Sequence, residues 1–162
     1  MKLHFEPNLQ FQLDAIEAVC DLFRGQESCR SEFTVTLPNK EQTDYLLQSD
    51  NIGIGNKLQL LDDEILANLR QIQLRNGLRP DDTLQSMNFT VEMETGTGKT
   101  YVYIRTILEL NKRFDFNKFV IVVPSIAIKE GVYKSFQITQ DHLRSLYANE
   151  PYEYFLNDSA KL

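Results

Sequence analysis

The most constraining feature of this sequence is a glycine-rich loop that ends in Lys-Thr and lies between a strand pattern and a helix pattern. Phe89–Met93 alternates apolar and polar side chains, as a strand does. The loop Glu94–Thr100 follows, and apolar residues then recur at helical spacing over Tyr101–Lys112. A strand, a glycine loop and a helix in this order predict a phosphate-binding loop of the Walker A type.

Each residue type in the loop suits the binding of phosphate groups. Gly96 and Gly98 permit backbone angles and a close approach that a β-carbon would prevent. The backbone N–H groups of the turn and of the following helix start form a nest for a β-phosphate. Lys99, the expected catalytic residue, would reach the β- and γ-phosphates, and the Thr100 hydroxyl would hold Mg²⁺. The predicted nucleotide-binding residues of the loop are Thr95, Gly96, Thr97, Gly98, Lys99 and Thr100.

The second half of the chain continues to alternate strand and helix patterns. Phe119–Val123 is an unbroken run rich in β-branched residues, typical of a strand buried on both faces. Helices are predicted over 126–136 and Gln140–Tyr147, with Thr139 as the cap of the latter, and Tyr152–Phe155 would add a strand. This order predicts an α/β fold with a parallel sheet, right-handed crossovers and flanking helices.

The first half is predicted to contain two helices and an irregular region between them. A helix is expected over Phe11–Arg24, ended by Gly25. Phe33–Leu37 is strand-like, whereas Ser49–Asn56 has the glycines of a loop. A second amphipathic helix is predicted over Leu58–Asn76, with acidic residues in its first turn.

Composition limits the class of protein. The 162 residues, 42% hydrophobic and 25% charged, suit one soluble domain. No apolar run approaches the roughly 20 residues that span a bilayer, and no export signal is recognisable, so we expect a cytoplasmic protein without membrane contact. Cys20 and Cys29 lack metal-site spacing and are expected to be free thiols. The net charge of −6 argues against strong DNA binding by this chain alone.

Three stretches carry a resemblance to a known family. The run Val91–Thr100 resembles motif I of superfamily-two helicases, with Met93 where the general Walker pattern has glycine. From Phe89 to Leu162 the chain resembles the restriction (Res) subunit of type III restriction enzymes, on motif I, on Phe119–Gly131 and less specifically on Pro151–Phe155. The resemblance implies a partial RecA-like P-loop domain of an ATP-dependent DNA translocase and endonuclease. Its implied cofactors are ATP and Mg²⁺, and its partners are duplex DNA and a modification (methyltransferase) subunit.

The resemblance also implies roles for four further residues. Phe119–Gly131 resembles motif Ia, which contacts the DNA backbone and here implies Ser125 and Lys129; an ordinary strand followed by a solvated lysine remains an alternative. Gln12 resembles the glutamine of the Q motif, which reads adenine through paired amide hydrogen bonds. Phe5 lies upstream, where it would stack on the base or belong to the core.

The resemblance divides the chain into a Q-motif region (1–25), a family-specific insertion without assigned chemistry (26–87), and a P-loop and motif Ia core (88–162). No acidic motif II and no nuclease carboxylate pair follow Val123. We therefore expect a truncated, N-terminal fragment of a larger enzyme, inactive by itself and with an exposed sheet edge. Another superfamily-two helicase or repair motor, and a non-catalytic nucleotide-binding scaffold, remain as alternatives.

Overall fold

The computed structural model describes residues 5–28, 30–34, 52–147 and 152–156. Four helices dominate this part of the chain, and one short antiparallel pair of strands lies between the first two. In chain order the elements are α1 (Gln10–Asp21), β1 (Arg30–Thr34), β2 (Ile52–Asn56), α2 (Asp62–Arg75), α3 (Lys99–Phe114) and α4 (Ile126–Leu146).

Helix α3 lies at the centre and packs different faces against α1 and α4. Toward α1 it contributes to a buried cluster made of Ala15, Ile16, Cys20, Val102, Leu110, Phe114 and Phe116. Toward α4 it contributes to a second cluster made of Tyr101, Ile104, Leu108, Leu143 and Tyr147. Full burial of one such aliphatic side chain stabilises a fold by about 1.5–3 kcal/mol. Both faces of α3 are therefore anchored, and so is the loop from which α3 starts.

Helix α2 confirms the predicted second helix and begins where its acidic residues begin. The Glu64 carboxylate accepts a hydrogen bond from the backbone N–H of Leu61 at 2.9 Å. Asp62, Asp63 and Glu64 occupy the first turn, where negative charge is favoured by the helix dipole. Ile65 and Ile72 form the buried face of the helix.

The predicted parallel sheet is not seen in the part of the chain that the structure describes. There, Phe89–Met93 and Phe119–Val123 have no ladder partner, and the only sheet pairs β1 with β2 in antiparallel register. Val120 and Val122 are 87% and 86% exposed, whereas Met93 and Phe119 pack against the α1–α3 cluster. A strand pattern predicts which side chains are apolar enough to be buried. A hydrogen-bonded ladder forms only where a neighbouring strand is also present.

The loop predicted over Ser49–Asn56 is wrong for 52–56, and 49–51 lie outside the described residues. Ile52–Asn56 forms β2, and Arg30 and Thr34 of β1 pair with Asn56 and Ile52. The glycines at alternate positions suggested a loop, but Ile52 and Ile54, which alternate with them, are β-branched residues that favour a strand. The strand predicted over Phe33–Leu37 is confirmed at Phe33 and Thr34, which belong to β1, and 35–37 lie outside the described residues.

The two helices predicted after Pro124 are one continuous helix, α4, of 21 residues. Thr139 does not cap a new helix. Its side chain is buried, and its hydroxyl donates a hydrogen bond to the Ser135 carbonyl at 2.7 Å. A threonine whose hydroxyl bonds back to the preceding turn is accommodated inside a helix. The capping interpretation was therefore wrong.

The segment 152–156 has no ladder partner among the described residues, so the last predicted strand is not seen either. Instead, two of its tyrosines pack on the side of α4. The Tyr154 ring stacks on Phe136 with centroids 4.9 Å apart, and Tyr152 lies 6.3 Å from the same ring. Aromatic contact thus holds this segment against α4.

Other predictions are confirmed. Helix α1 covers most of the predicted range, and Gly25 follows it with a φ of +95°. Helix α3 extends beyond the predicted range at both ends, to Lys99 and Phe114. Cys20 is a free, buried thiol, and Cys29 lies outside the described residues. None of the helices in the described ranges combines the length and apolar character that crossing a membrane requires.

Candidate nucleotide-binding site

The phosphate loop has the backbone geometry that its glycines predict. Gly96 and Gly98 adopt φ values of +84° and +83°, a region that side chains with a β-carbon rarely enter. Gly98 is the N-cap of α3, and none of the described side chains caps this helix start. The first N–H groups of α3 lack partners within the helix, as at any helix start. Such a helix start fits a bound phosphate group.

The loop residues are arranged for access from solvent. Thr95, Gly96, Gly98 and Lys99 are exposed, whereas Thr97 and Thr100 are half-buried. The Thr97 hydroxyl donates a hydrogen bond to the Glu94 carbonyl at 2.7 Å, which closes the turn from inside. The loop therefore keeps its shape through its own contacts and presents Lys99 outward.

Gln12 of α1 contacts this loop directly. Its side chain is 6% exposed, and its Nε2 donates a hydrogen bond to the Thr97 carbonyl at 2.8 Å. A β-carbon placed on Gly98 would lie 2.8 Å from the same nitrogen, closer than real contacts allow. Glycine at position 98 thus suits both its positive φ and the close approach of the Gln12 amide. The structure joins residues that the sequence places 85 positions apart.

The remaining groups of the Gln12 amide bear on its predicted adenine-reading role. Its Oε1 is buried and has no hydrogen-bond partner among the described residues. An unsatisfied buried acceptor costs about 1–3 kcal/mol, so a donor at this atom would be stabilising. Nε2 also keeps a second N–H beyond the one given to Thr97. Because Oε1 is buried, a base reaches it only if the amide turns outward, and the role stays a prediction.

Phe5 packs inside an aromatic cluster. Its ring is stacked on Tyr101, with centroids 6.1 Å apart and an 8° angle between planes, and it lies 5.3 Å from the ring of His142. The Tyr101 hydroxyl and His142 Nε2 are hydrogen-bonded at 2.9 Å. Phe5 is half-buried against these two rings and belongs to neither of the two buried clusters. Stacking on a base stays a prediction.

Arg105 is a residue that the sequence reasoning missed. It is only 9% exposed, and its Nη1 donates a hydrogen bond to the Pro7 carbonyl. Its Nε donates to the Tyr147 hydroxyl at 3.3 Å, and that hydroxyl donates to Glu109 at 2.7 Å. Burial, followed by the hydrogen bond to Glu109, raises the pKa of Tyr147. The available signal was an arginine beside Ile104 and one turn before Leu108 and Glu109, on the apolar face of α3.

Ser125 and Lys129 lie together at the start of α4. The Ser125 hydroxyl accepts a hydrogen bond from the Ile128 N–H at 3.3 Å and so caps the helix. The Lys129 N–H donates to the Ser125 carbonyl at 3.0 Å, which places both residues on one turn. Ser125 is exposed and Lys129 is half-buried. Contact of either with DNA stays a prediction.

Comparison with known proteins decides the family. The family model described as "Type III restriction enzyme, res subunit" matches residues 10–154. The chain belongs to this Res family. Membership implies a RecA-like P-loop fold, in accord with the loop and helix at Lys99. The resemblance inferred from motif I is thereby confirmed.

Three relatives in the Res family show the extent of the similarity. The chain is 32% identical over 155 residues to the type III restriction-modification enzyme EcoPI Res subunit of Escherichia phage P1, covering 90% of this chain. It is 36% identical over 111 residues to the EcoP15I Res subunit of Escherichia coli, covering 63%. It is 52% identical over 61 residues to the StyLTI Res subunit of Salmonella typhimurium, covering 38%. The chain spans only 14%, 11% and 6% of the lengths of these relatives.

Proposed function

We propose that this Res-family chain is the N-terminal, ATP-binding part of the DNA-translocating endonuclease subunit of a type III restriction-modification system. The observation that supports this most is the phosphate loop at the uncapped start of α3, with Gln12 hydrogen-bonded to its Thr97 carbonyl. The division of the chain into 1–25, 26–87 and 88–162, and a parallel sheet around Phe89–Met93 and Phe119–Val123, belong to the same proposal.

The residues of the chain have separate tasks in this proposal. The N–H groups of Thr95–Thr100 bind the β-phosphate, and the Lys99 ammonium neutralises charge on the β- and γ-phosphates. The Thr100 hydroxyl is a ligand for Mg²⁺. Gln12 reads the adenine edge, and Phe5 borders the base. Among the described residues, no three His, Cys, Asp or Glu side chains cluster as a metal site.

ATP bound here would supply, on hydrolysis, the free energy for movement along duplex DNA in the intact subunit. Ser125 and Lys129, on one turn at the start of α4, contact the sugar-phosphate backbone of that DNA. A modification subunit of the same system supplies recognition of the DNA sequence. The same proposal includes action in the cytoplasm.

A binding experiment tests the nucleotide site. A fluorescent ATP analogue is titrated into the chain and into its Lys99→Ala variant, with circular dichroism to verify the fold. Loss of a charged phosphate contact weakens binding about tenfold or more. Lys134→Ala, at an exposed lysine of α4, is the matched control and should bind normally. Equal affinity of the wild type and Lys99→Ala would favour the non-catalytic scaffold instead.

A second experiment tests the division of labour between this chain and the intact subunit. We expect the chain alone to bind ATP without sustained turnover, because its sequence contains no acidic motif II to hold Mg²⁺ and orient water. Phosphate release is measured with and without duplex DNA. Hydrolysis at a motor-like rate that disappears in Lys99→Ala would disprove this part of the proposal.

A further inference from the structure

Arg105 lies on α3, the same helix that starts at the phosphate loop. Its side chain is 9% exposed, and its guanidinium carbon lies 6.0 Å from the centre of the Tyr101 ring. Buried charge is costly unless it is hydrogen-bonded, and here the guanidinium has acceptors in the Pro7 carbonyl and the Tyr147 hydroxyl. A position that served packing alone would be filled at lower cost by an apolar side chain.

The acceptor at Pro7 belongs to the short segment that precedes α1. Phe5, two residues earlier, stacks on Tyr101, so two side chains of α3 hold this one segment. The segment leads directly into α1, which begins at Gln10 and carries Gln12. Arg105 therefore links the helix that presents the phosphate loop to the segment and helix that carry the proposed base-side residues.

Selection between adenine and guanine depends on how precisely the Gln12 amide is held. Two amide hydrogen bonds distinguish adenine from guanine only if the amide is held to within about 0.5 Å of its productive position. Gln12 is held by its hydrogen bond to Thr97 on one side. The segment 5–9, which precedes the helix of Gln12, contains no fully buried residue. The fork-shaped guanidinium can bind two acceptors in fixed directions, which a lysine cannot do.

We propose that Arg105 is a positioning residue for base selection: by holding Pro7, it places Phe5 and Gln12 relative to the phosphate loop so that adenine is preferred over guanine. Arg105 touches neither base nor phosphate in this role. The inference rests on the proposed function, namely that the loop binds a nucleoside triphosphate and that Gln12 reads its base.

The test compares the affinities of fluorescent ATP and GTP analogues for the 162-residue chain. Arg105→Met keeps a buried stem and removes the hydrogen-bond donors. We expect it to lower the ATP-to-GTP affinity ratio about tenfold, chiefly by weakening ATP binding. The matched control is Arg70→Met on α2, where the Arg70 guanidinium also donates to two backbone carbonyls, those of Asp81 and Asp82. This control should lose stability and keep its affinity ratio.

The outcomes separate this inference from the function on which it rests. An unchanged ratio in Arg105→Met, or an equal loss of ATP and GTP binding, overturns the positioning role even if Lys99→Ala abolishes binding. A wild type that binds both analogues equally also overturns it, while leaving phosphate binding intact. Normal binding by Lys99→Ala instead contradicts the proposed function itself.

Arg105→Lys keeps the inference testable if Arg105→Met does not fold. Lysine retains the charge and much of the stem, but its single ammonium replaces the two-directional fork. We expect a folded protein in which the ATP-to-GTP ratio falls about threefold, a partial rescue relative to methionine. A ratio equal to that of the wild type would overturn the role of the guanidinium fork.

Discussion

Gln12 donates a hydrogen bond from its side-chain amide to the backbone carbonyl of Thr97, at 2.8 Å. The contact joins the first helix of the chain to the middle of the phosphate loop. It also leaves Gln12 Oε1 buried and without a hydrogen-bond partner among the described residues. The amide is thus part of the loop structure before any base is present, and adenine reading would require part of this arrangement to open.

Replacement of Gln12 by leucine tests whether its amide contributes to nucleotide binding. The side chain keeps its size and its burial but loses the amide, so it neither supports Thr97 nor reads a base. We expect ATP affinity to fall about tenfold and GTP affinity to fall less, because only ATP also loses a contact between its base and the amide. Because the replacement also removes an unsatisfied buried acceptor, the free energy of unfolding should change by only about 1 kcal/mol. Titration with fluorescent nucleotides and urea unfolding measure the two effects.

Gln10→Leu is the control for this replacement, because Gln10 lies on the same helix, is exposed, and bonds only to Asp14 in the described contacts. It should leave nucleotide binding unchanged. If Gln12→Leu binds ATP as well as the wild type does, Gln12 has a packing role alone.

The ion pair between Glu17 and Arg113 predicts how stability depends on pH. Arg113 donates to both Glu17 oxygens, with one N···O distance of 2.8 Å, and this hydrogen bonding lowers the pKa of Glu17 below its ordinary value of 4.5. A carboxylate whose pKa is lowered by folding stabilises the folded state at pH values above its pKa in the unfolded chain. That contribution is lost as the pH falls through the folded value. Urea midpoints measured from neutral pH into acid should therefore decline below pH 4.5.

Glu17→Gln should remove part of this decline, because glutamine has no proton to gain. The decline in stability that remains includes a contribution from Asp21. Burial raises the pKa of Asp21, but its hydrogen bonds with Arg75 and Arg24 lower that pKa overall. Glu130→Gln, an exposed change on α4, should leave the acid slope as it is. If the urea midpoints of the wild type and of Glu17→Gln decline equally as the pH falls, the ion pair between Glu17 and Arg113 does not contribute to the pH dependence of folding.

Cys20 is predicted to be inert while the protein is folded. It is 1% exposed in the α1–α3 cluster, and burial raises the pKa of its thiol to about 12. The thiolate is the reactive form, so a disulfide reagent at mildly alkaline pH should modify it only through unfolding. The measurement uses Cys29→Ser, which leaves one thiol, with and without urea. Rapid modification of the folded protein would contradict the packing of α1 on α3.

Local patterns predicted the parts of the site that depend on neighbouring residues in sequence. Gly96, Gly98 and the helix that starts at Lys99 were recognisable because turn geometry and helix start are set within a few positions. The Gln12–Thr97 contact was not, because it depends on how α1 packs against α3. Nor was the position of Arg105, whose partners come from opposite ends of the described chain.

The errors in secondary structure have a related cause. Thr139 was interpreted as a cap because threonine favours that position, but its hydroxyl is satisfied by Ser135 inside one long helix. Ile52–Asn56 was interpreted as a loop from its glycines, although pairing with β1 stabilises it as a strand. In both regions a contact beyond the local pattern determined the structure. At Val120 and Val122 the local pattern predicted a buried strand, but no neighbouring strand of the described chain covers them and both are exposed.

A pair of glycine replacements tests the approach of Gln12 to the loop. Gly96 and Gly98 have nearly equal positive φ values, +84° and +83°, so alanine at either position costs about 1 kcal/mol in backbone strain. At Gly98 the new β-carbon would also lie 2.8 Å from Gln12 Nε2, whereas at Gly96 no described atom lies within 4 Å. Gly98→Ala should therefore lower the free energy of unfolding by about 1 kcal/mol more than Gly96→Ala, because Gln12 is displaced and its bond to Thr97 is lost.

The same two replacements in a Gln12→Ala background isolate this extra cost. Alanine at position 12 leaves room for a β-carbon on Gly98 and has no hydrogen bond to lose. The difference in the free energy of unfolding between Gly98→Ala and Gly96→Ala should then vanish, because only position 98 is close enough to position 12 to be coupled to it. The backbone strain that both replacements cause should remain. Urea unfolding of the six proteins gives the coupling. If the difference persists without Gln12, the loop itself rather than the first helix excludes a side chain at Gly98.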